Sequence, residues 1–327
     1  MKAIVCSMPA ADMSTLTLRD VATPVPEAGE VLVSIKAASL NPVDWKLATG
    51  VAPWWREPHI AGLDGAGIVT ALGDGVSEFS IGDRVVWHGD LNRQGVFAEF
   101  ATVPSHVISK IPENVSFEAA AALPCAGYTA FQGLVRKAHL QSGDVVVVQG
   151  ANGGVGGFGV QIAKSRDATA IALTRPEKAH IARRLGADHV LDYRAPDLAE
   201  KIRGLNHGDG ADIMLEVVNP GDARRSLDLL RYNGQLVCVD PLPNLSQVPA
   251  YTYAASIHEV ALGGAYAAGH MPTQRDFARI GDELLDLLSA GRLDPMIEAG
   301  ISLEEIPEYL QRLKDRMFDG KVVATID

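Results

Sequence analysis

Three things are scarce in this chain. Its 327 residues include three cysteines, Cys6, Cys125 and Cys238. Isolated and odd in number, they exclude a disulfide framework and a four-cysteine zinc lobe, and they fit a reducing compartment. There is also no run of about 18 uncharged apolar residues of the kind a membrane span needs; even the alanine-rich stretch from Tyr251 to Gly269 is broken by His258 and Glu259. Basic charge is short too. With 29 Lys+Arg against 40 Asp+Glu, the net charge of −11 disfavours a general grip on nucleic acid or an anionic membrane, while leaving room for a local basic pocket. The opening Met-Lys-Ala-Ile-Val-Cys leads straight into strand-like alternation instead of the apolar core of a signal peptide, so a cytoplasmic protein is expected.

What is present is an ordinary globular composition, 47% apolar and 21% charged, long enough for about two domains, each with its own core. Residues 1 to about 115 read as β-rich, with short strands at Glu30 to Lys36 and Gly82 to Trp87 set between Gly, Pro and Asp turns. From Ser116 the texture changes. Ala119 to Ala122 and Tyr128 to Val135 read as helical, and Asp144-Val-Val-Val-Val148 is a continuous apolar run of the kind buried on both faces of a parallel sheet. Strands at Thr169 to Leu173, His189 to Leu191, Ile213 to Val217 and Gln235 to Val239 then alternate with helices at Pro176 to Leu185, Asp197 to Ile202 and Asp222 to Leu230. That alternation indicates a doubly wound α/β domain ending near residue 265. Helices at Gln274 to Ala290 and Leu303 to Arg316 follow, and a last strand, Lys321 to Ile326, is placed to rejoin the β-rich part.

The strongest local signal is Val145-Val-Val-Val-Gln-Gly-Ala-Asn-Gly-Gly-Val-Gly156. Gly153 and Gly156 take the second and third places of a G-x-G-x-x-G pattern, and Ala151 replaces the first glycine. A backbone without side chains lets a pyrophosphate approach, and the helix start at Gly154, Val155 and Gly156 offers free N–H groups and the positive end of the dipole. The competing reading is a tight strand-to-helix turn. The following βαβ units favour dinucleotide binding. About 20 residues on, where a carboxylate would hold the ribose 2′-OH of NAD, the chain reads Thr174-Arg175-Pro176-Glu177-Lys178. Arg175 and Lys178 offer cations to a 2′-phosphate, and Glu177 fits the first helical turn, so NADPH is expected over NADH.

Several further segments then fall in order: Ala37 to Lys46, Ala61 to Val69, Gly82 to Val86, Leu123-Pro-Cys-Ala-Gly-Tyr-Thr-Ala130, Leu185 to Tyr193 and Gly320-Lys-Val-Val323. Together with the glycine turn they make nearly the whole chain resemble the medium-chain dehydrogenase/reductase superfamily, in its zinc-free quinone oxidoreductase and enone reductase branch. The resemblance implies a GroES-like β-rich catalytic domain at residues 1–120, completed by 266–327, and a Rossmann dinucleotide-binding domain with a parallel sheet at 121–265, with the nicotinamide held in the cleft between them. Zinc-dependent members carry a cysteine where this chain has Asn41, and His-Glu where it has Leu63-Asp64. Cys125 falls at the place of a later thiolate ligand. One thiolate and one carboxylate make a poor catalytic zinc site, which takes three protein ligands and water, so no metal is expected. Cys125 reads instead as a small core residue, and His59, His88 and His106 as surface or satisfied loop residues.

Carried over residue by residue, the resemblance puts Asn41 at the nicotinamide ribose or the substrate carbonyl and Thr129 beside the nicotinamide. It puts Lys178 and Tyr193 at the 2′-phosphate, Arg316 near the cofactor from the tail, and Asp240 at a strand's carboxyl end near the nicotinamide. The pair Trp54-Trp55 is open between an aromatic wall for a planar ligand and a core or dimer contact. The activity implied is hydride transfer from NADPH to a quinone or to the C=C bond of an α,β-unsaturated carbonyl compound. Alcohol dehydrogenase-like or enoyl-thioester reductase activity, or NADPH binding without turnover, remain the alternatives. A homodimer is implied; nucleic-acid and membrane partners are not.

Overall fold

The computed structural model describes residues 1–7, 12–51, 55, 58–218, 224–239, 242, 244–246 and 248–327. The chain forms two compact units, one of Met1–Tyr128 with Leu262–Asp327, the other of Thr129–Ala261.

The first unit is built on two largely antiparallel sheets, with one parallel pair, Ile297–Ser302 beside Lys321–Thr325. Its main sheet runs in the order Ile297–Ser302, Lys321–Thr325, Glu30–Leu40, Asp64–Leu72, Arg84–His88, Ser109–Lys110, with Phe100–Pro104 also paired to Glu30–Leu40. A smaller sheet joins Leu16–Asp20, Lys2–Cys6 and His59–Ile60. Both sheets close on a core that includes Val31, Val33, Ile35, Trp87 and Phe97. The tail does rejoin this unit: Lys321–Thr325 pairs antiparallel with Glu30–Leu40, Val322 lying opposite Leu40. Helix Met271–Ser289 starts three residues before the expected Gln274 and buries Phe277, Ile280, Leu284 and Leu285 along one stripe, the spacing of an amphipathic helix.

The second unit is a six-stranded, all-parallel sheet in the order His189–Asp192, Thr169–Thr174, Val145–Gln149, Ala211–Glu216, Leu230–Cys238, Ser256–Glu259. Numbered along the chain this is 3-2-1-4-5-6, the doubly wound dinucleotide-binding order. Val145 to Val148 lie at its centre and are buried, as the unbroken apolar run requires. The segment expected to be helical from Asp222 to Leu230 is a helix only over Arg224–Leu227, and Leu230 already begins the next strand; Asp222 lies outside the described residues. That strand starts five residues before the expected Gln235, because Tyr232-Asn233-Gly234, which reads as a turn, is carried through a register shift between Ala211 and Ile213, with Asn233 at φ +59°. Such a bulge lets the ladder absorb turn-like residues.

Candidate functional site

The glycine turn leaves the central strand at Gln149 and enters helix Gly154–Ser165 through Gly153 as N-cap. The tight-turn role of the first motif glycine falls to Gly150, which has φ +66°, one residue before Ala151; Ala151 is buried. The other two glycines are required for different reasons. A Cβ at Gly156 would lie 2.3 Å from the Gly150 carbonyl oxygen, so the turn's own backbone forbids it. A Cβ at Gly153 would meet only that oxygen, at 3.6 Å, an ordinary contact. The protein therefore leaves open space beside Gly153, in front of the N–H groups of the first helical turn. Those groups have no partner within the helix, and such a backbone cradle fits a pyrophosphate. Gly159 brings the same helix onto the sheet, its missing Cβ lying 2.4 Å from Leu215 Cδ2. Thr129, buried, opens the short helix Thr129–Phe131, ahead of the wide turns of Gln132–Lys137.

At the tip of the neighbouring strand a cavity of 200 Å³ is lined by Thr174, Arg175, Pro176, Ala179, Arg183, Val190, Leu191 and Asp192. Thr174 is buried and donates its hydroxyl to Asn152 Oδ1 at 2.8 Å, so it braces the glycine turn. Arg175 is exposed and caps the first turn of the following helix. Arg183 was not foreseen; four residues after Ala179 on the helix Ala179–Arg184, it is brought to the same face as Ala179. The lining carboxylate, Asp192, is held by Arg194 through two bonds of 3.0 Å. Lys178 and Tyr193 are not part of this lining: Lys178 is half-buried at the N-cap of that helix, and Tyr193 packs against the sheet core with the Arg194 guanidinium 5.7 Å from its ring centre.

In the first unit, four strand ends meet at one buried polar cluster. Asn41 follows Glu30–Leu40 and caps the short helix Pro42–Lys46, where its N–H donates to Asp44 Oδ2 at 2.7 Å. Its amide donates to Asp64 Oδ2 at 2.8 Å and to the Ser39 carbonyl at 3.3 Å, and its Oδ1 accepts from Lys321 Nζ at 2.6 Å. Asp64 Oδ1 pairs with His88 Nδ1 at 2.8 Å, and Oδ2 also accepts the Cys125 N–H at 2.9 Å. Asn41, Asp44, Asp64, His88 and Lys321 are all 3% exposed or less. Burial and the nearby Asp64 push the Asp44 carboxyl well above the usual range, and the same two causes push the Cys125 thiol up.

Two of the three histidines expected as surface or satisfied loop residues are instead buried in strands. His88 ends strand Arg84–His88 directly opposite Asp64. His59 is buried against Trp55, rings stacked at 3.8 Å, and burial lowers its pKa from 6.5 to about 4. His106 is half-buried and pairs with Gln274 at 2.9 Å. Trp55 is a core residue whose indole donates to the Leu91 carbonyl at 2.8 Å. Trp54 and Asp240 lie outside the described residues. Arg316 is exposed, in the left-handed conformation at φ +58°, just beyond helix Ile306–Lys314. No helix among the described residues is long and apolar enough to cross a membrane.

Asp64, His88 and Cys125 bring one ligand atom each within 4.8 Å of one another, the sole such trio among the described residues. As arranged they do not fit a tetrahedral zinc. The Asp64–His88 separation of 2.8 Å is a hydrogen bond, shorter than the roughly 3.3 Å between ligand atoms on Zn bonds of about 2.0–2.1 Å. The other carboxylate oxygen already receives two N–H donors.

This architecture, a GroES-like unit with a parallel 3-2-1-4-5-6 sheet and a glycine-rich turn at its first strand, defines a two-domain dehydrogenase/reductase. The alcohol dehydrogenase GroES-like domain family matches residues 27–113, and the zinc-binding dehydrogenase family matches residues 154–279. The quinone oxidoreductase of Homo sapiens is 30% identical over 295 residues, covering 88% of this chain and 86% of its own. Two solved structures each align over 100% of both chains: a mycobacterial protein complexed with NADPH, at TM-score 0.84 and 27% identity, and an NAD-dependent alcohol dehydrogenase, at 0.86 and 28%. The chain belongs to the medium-chain dehydrogenase/reductase superfamily, in its quinone oxidoreductase branch. It is an oxidoreductase of the pyridine nucleotide-dependent kind.

Proposed function

We propose that the chain is a zinc-independent, NADPH-dependent reductase that delivers hydride to quinones or to the C=C bond of α,β-unsaturated carbonyl compounds. The observation that carries the cofactor half is the cavity at Thr174–Asp192, lined by two arginines, Arg175 and Arg183, and by one carboxylate, Asp192, which is already paired with Arg194. Guanidinium groups suit a 2′-phosphate. The N–H groups of Gly154, Val155 and Gly156 would hold the pyrophosphate, with Gly153 leaving room for it. Lys178, Tyr193, Thr129, Asp240 and Arg316 remain candidate cofactor contacts by resemblance.

When bound, the reduced nicotinamide supplies the hydride. The rest of the reading concerns the acceptor. Asn41 has both amide hydrogens directed to Asp64 and Ser39, so its role is to organise the buried cluster; a substrate oxyanion would have to break those bonds to reach it. A conjugated acceptor suits such a site because conjugation carries the incoming charge to an oxygen, and water can supply the proton. An unactivated alcohol does not, since nothing in the hydrogen-bonded Asp64 trio lowers a hydroxyl pKa as a Lewis acid would. A homodimer and a cytoplasmic location accompany this reading as expectations from the resemblance alone.

The test is steady-state oxidation of NADPH and NADH against a panel of 1,4-quinones and short enones. Turnover with NADPH, weaker with NADH, supports the proposal; binding of NADPH without turnover on any acceptor would reject it in favour of a non-catalytic binding protein.

A further inference from the structure

In a chain whose residues 154–279 match the zinc-binding dehydrogenase family, the buried cluster raises the question of what stands in for a metal's charge. Asp64, His88 and Cys125 are a carboxyl, an imidazole and a thiol, the three-ligand combination that borderline-soft dications take, yet Asp64 is engaged by His88, Cys125 and Asn41 instead. On the far side of the Asn41 amide sits a buried cation. Lys321 Nζ donates to Asn41 Oδ1 at 2.6 Å, and Asn41 Nδ2 donates to Asp64 Oδ2 at 2.8 Å. Ammonium, amide and carboxylate form one polarised chain in a place nearly closed to water, where each bond strengthens the next.

We propose that the Lys321 ammonium substitutes for a divalent cation: wired through the Asn41 amide to Asp64, it keeps a latent Asp64–His88–Cys125 metal site closed. This deepens the zinc-independent reading above and rests on it. A fixed positive charge one amide away from the carboxylate repels a dication in the low-dielectric interior and neutralises the charge the dication would seek. Without that ammonium, Asp64 keeps its hydrogen bonds to His88, Cys125 and Asn41 but loses the cation behind the Asn41 amide, and a dication becomes the available compensation. On binding, the Cys125 thiol would release its proton to solvent, and His88 would hold its proton on Nε2 so that Nδ1 takes the metal. Asp44 lies beside this chain, its Oδ1 buried without a hydrogen-bond partner.

The experiment is a Co²⁺ titration of the purified full chain, followed by the near-ultraviolet thiolate-to-cobalt band and by equilibrium dialysis. Wild type should show neither the band nor saturable binding. Lys321→Met and Lys321→Gln should each take up one Co²⁺ per chain with the band, at least ~100-fold more tightly than wild type, and adding Cys125→Ser should abolish the band. Lys321→Gln keeps a donor for Asn41 Oδ1 and serves where Lys321→Met folds poorly. A thiolate band in wild type would overturn the zinc-independent reading together with this one. Silent wild type and silent, folded variants would overturn the Lys321 proposal alone. Failure of both neutral variants to fold even in the presence of Co²⁺ would also count against it, since the bound dication should replace the lost ammonium.

Discussion

Lys321 and Asn41 lie 280 residues apart in the chain and 2.6 Å apart in the fold. The pairing of the last strand with Glu30–Leu40 brings this about: Val322 lies opposite Leu40, and the next residue on each side is the lysine and the asparagine. The lysine fixes the amide in one orientation, which points its two hydrogens at Asp64 and the Ser39 carbonyl. Asn41 thereby serves as the bridge between two buried charges.

A bridge of this kind makes the two charges interdependent. Lys321→Met should cost about 3–5 kcal/mol in metal-free buffer, the scale for leaving one partner of a buried pair uncompensated, and Lys321→Met with Asp64→Asn should cost clearly less than the sum of the single losses. Urea denaturation of the four proteins checks this. Strictly additive losses would mean that the two residues do not communicate.

The glycine turn separates structural from ligand-imposed requirements. Gly156→Ala places a methyl 2.3 Å from the Gly150 carbonyl oxygen and should destabilise the second unit by about 1–3 kcal/mol, as overpacking does. Gly153→Ala meets nothing closer than 3.6 Å and should leave stability within about 0.5 kcal/mol, while weakening NADPH binding at least ~10-fold by filling the space left for the pyrophosphate. Thermal melts and fluorescence titration of the two variants distinguish the cases. Unchanged NADPH affinity in Gly153→Ala would show that the cofactor does not approach there.

Cofactor preference should reside in Arg175 and Arg183. Each substitution by Ala should cost NADPH about 1.5–3 kcal/mol, as loss of a hydrogen bond to a charged group does, and leave NADH nearly unaffected. Competitive binding of the two cofactors reads this directly. Equal loss for both would place the arginines at the adenine or pyrophosphate instead of the 2′-phosphate.

The second unit was largely legible because its signals are local. An unbroken run of valines, glycines at fixed offsets and alternating strands and helices are written in short stretches of chain, and the sheet order follows from that alternation. Errors arose where tertiary pairing overrode local chemistry, as when Tyr232-Asn233-Gly234 continued a strand through a bulge. The buried cluster was not legible. Asn41, Asp64 and Cys125 were each visible as positions where metal ligands are missing or altered, but nothing in the sequence near His88 or Lys321 says that they sit opposite Asp64 and beside Asn41; only the strand register does. Arg183 escaped for a milder reason. Its relation to the cavity depends on where helix Ala179–Arg184 begins, and one residue of shift turns the side chain by about 100°.

His59 makes stability depend on pH. Burial lowers its pKa from 6.5 to about 4, so between those values the unfolded chain binds a proton that the folded chain does not. Unfolding then becomes easier as pH falls from about 6.5 to about 4, and the effect vanishes above that window. His59→Gln should flatten this slope by up to ~3 kcal/mol across the window, whatever it costs in stacking on Trp55. Denaturant midpoints at several pH values check it; an unaltered slope in the variant would assign the acid sensitivity elsewhere.

Metal-free reduction of conjugated acceptors is tested by comparing two reactions of one chelator-treated preparation. With NADPH and a short α,β-unsaturated ketone, product analysis should show a saturated C=C bond with the carbonyl intact, at a rate unchanged by the chelator. With NADP⁺ and simple primary alcohols, oxidation should be at least ~10²-fold slower, the scale of rate lost without a positioned acid or base. Comparable rates on the alcohols, carbonyl reduction with the C=C bond intact, or activity lost to the chelator and restored by zinc would contradict the account.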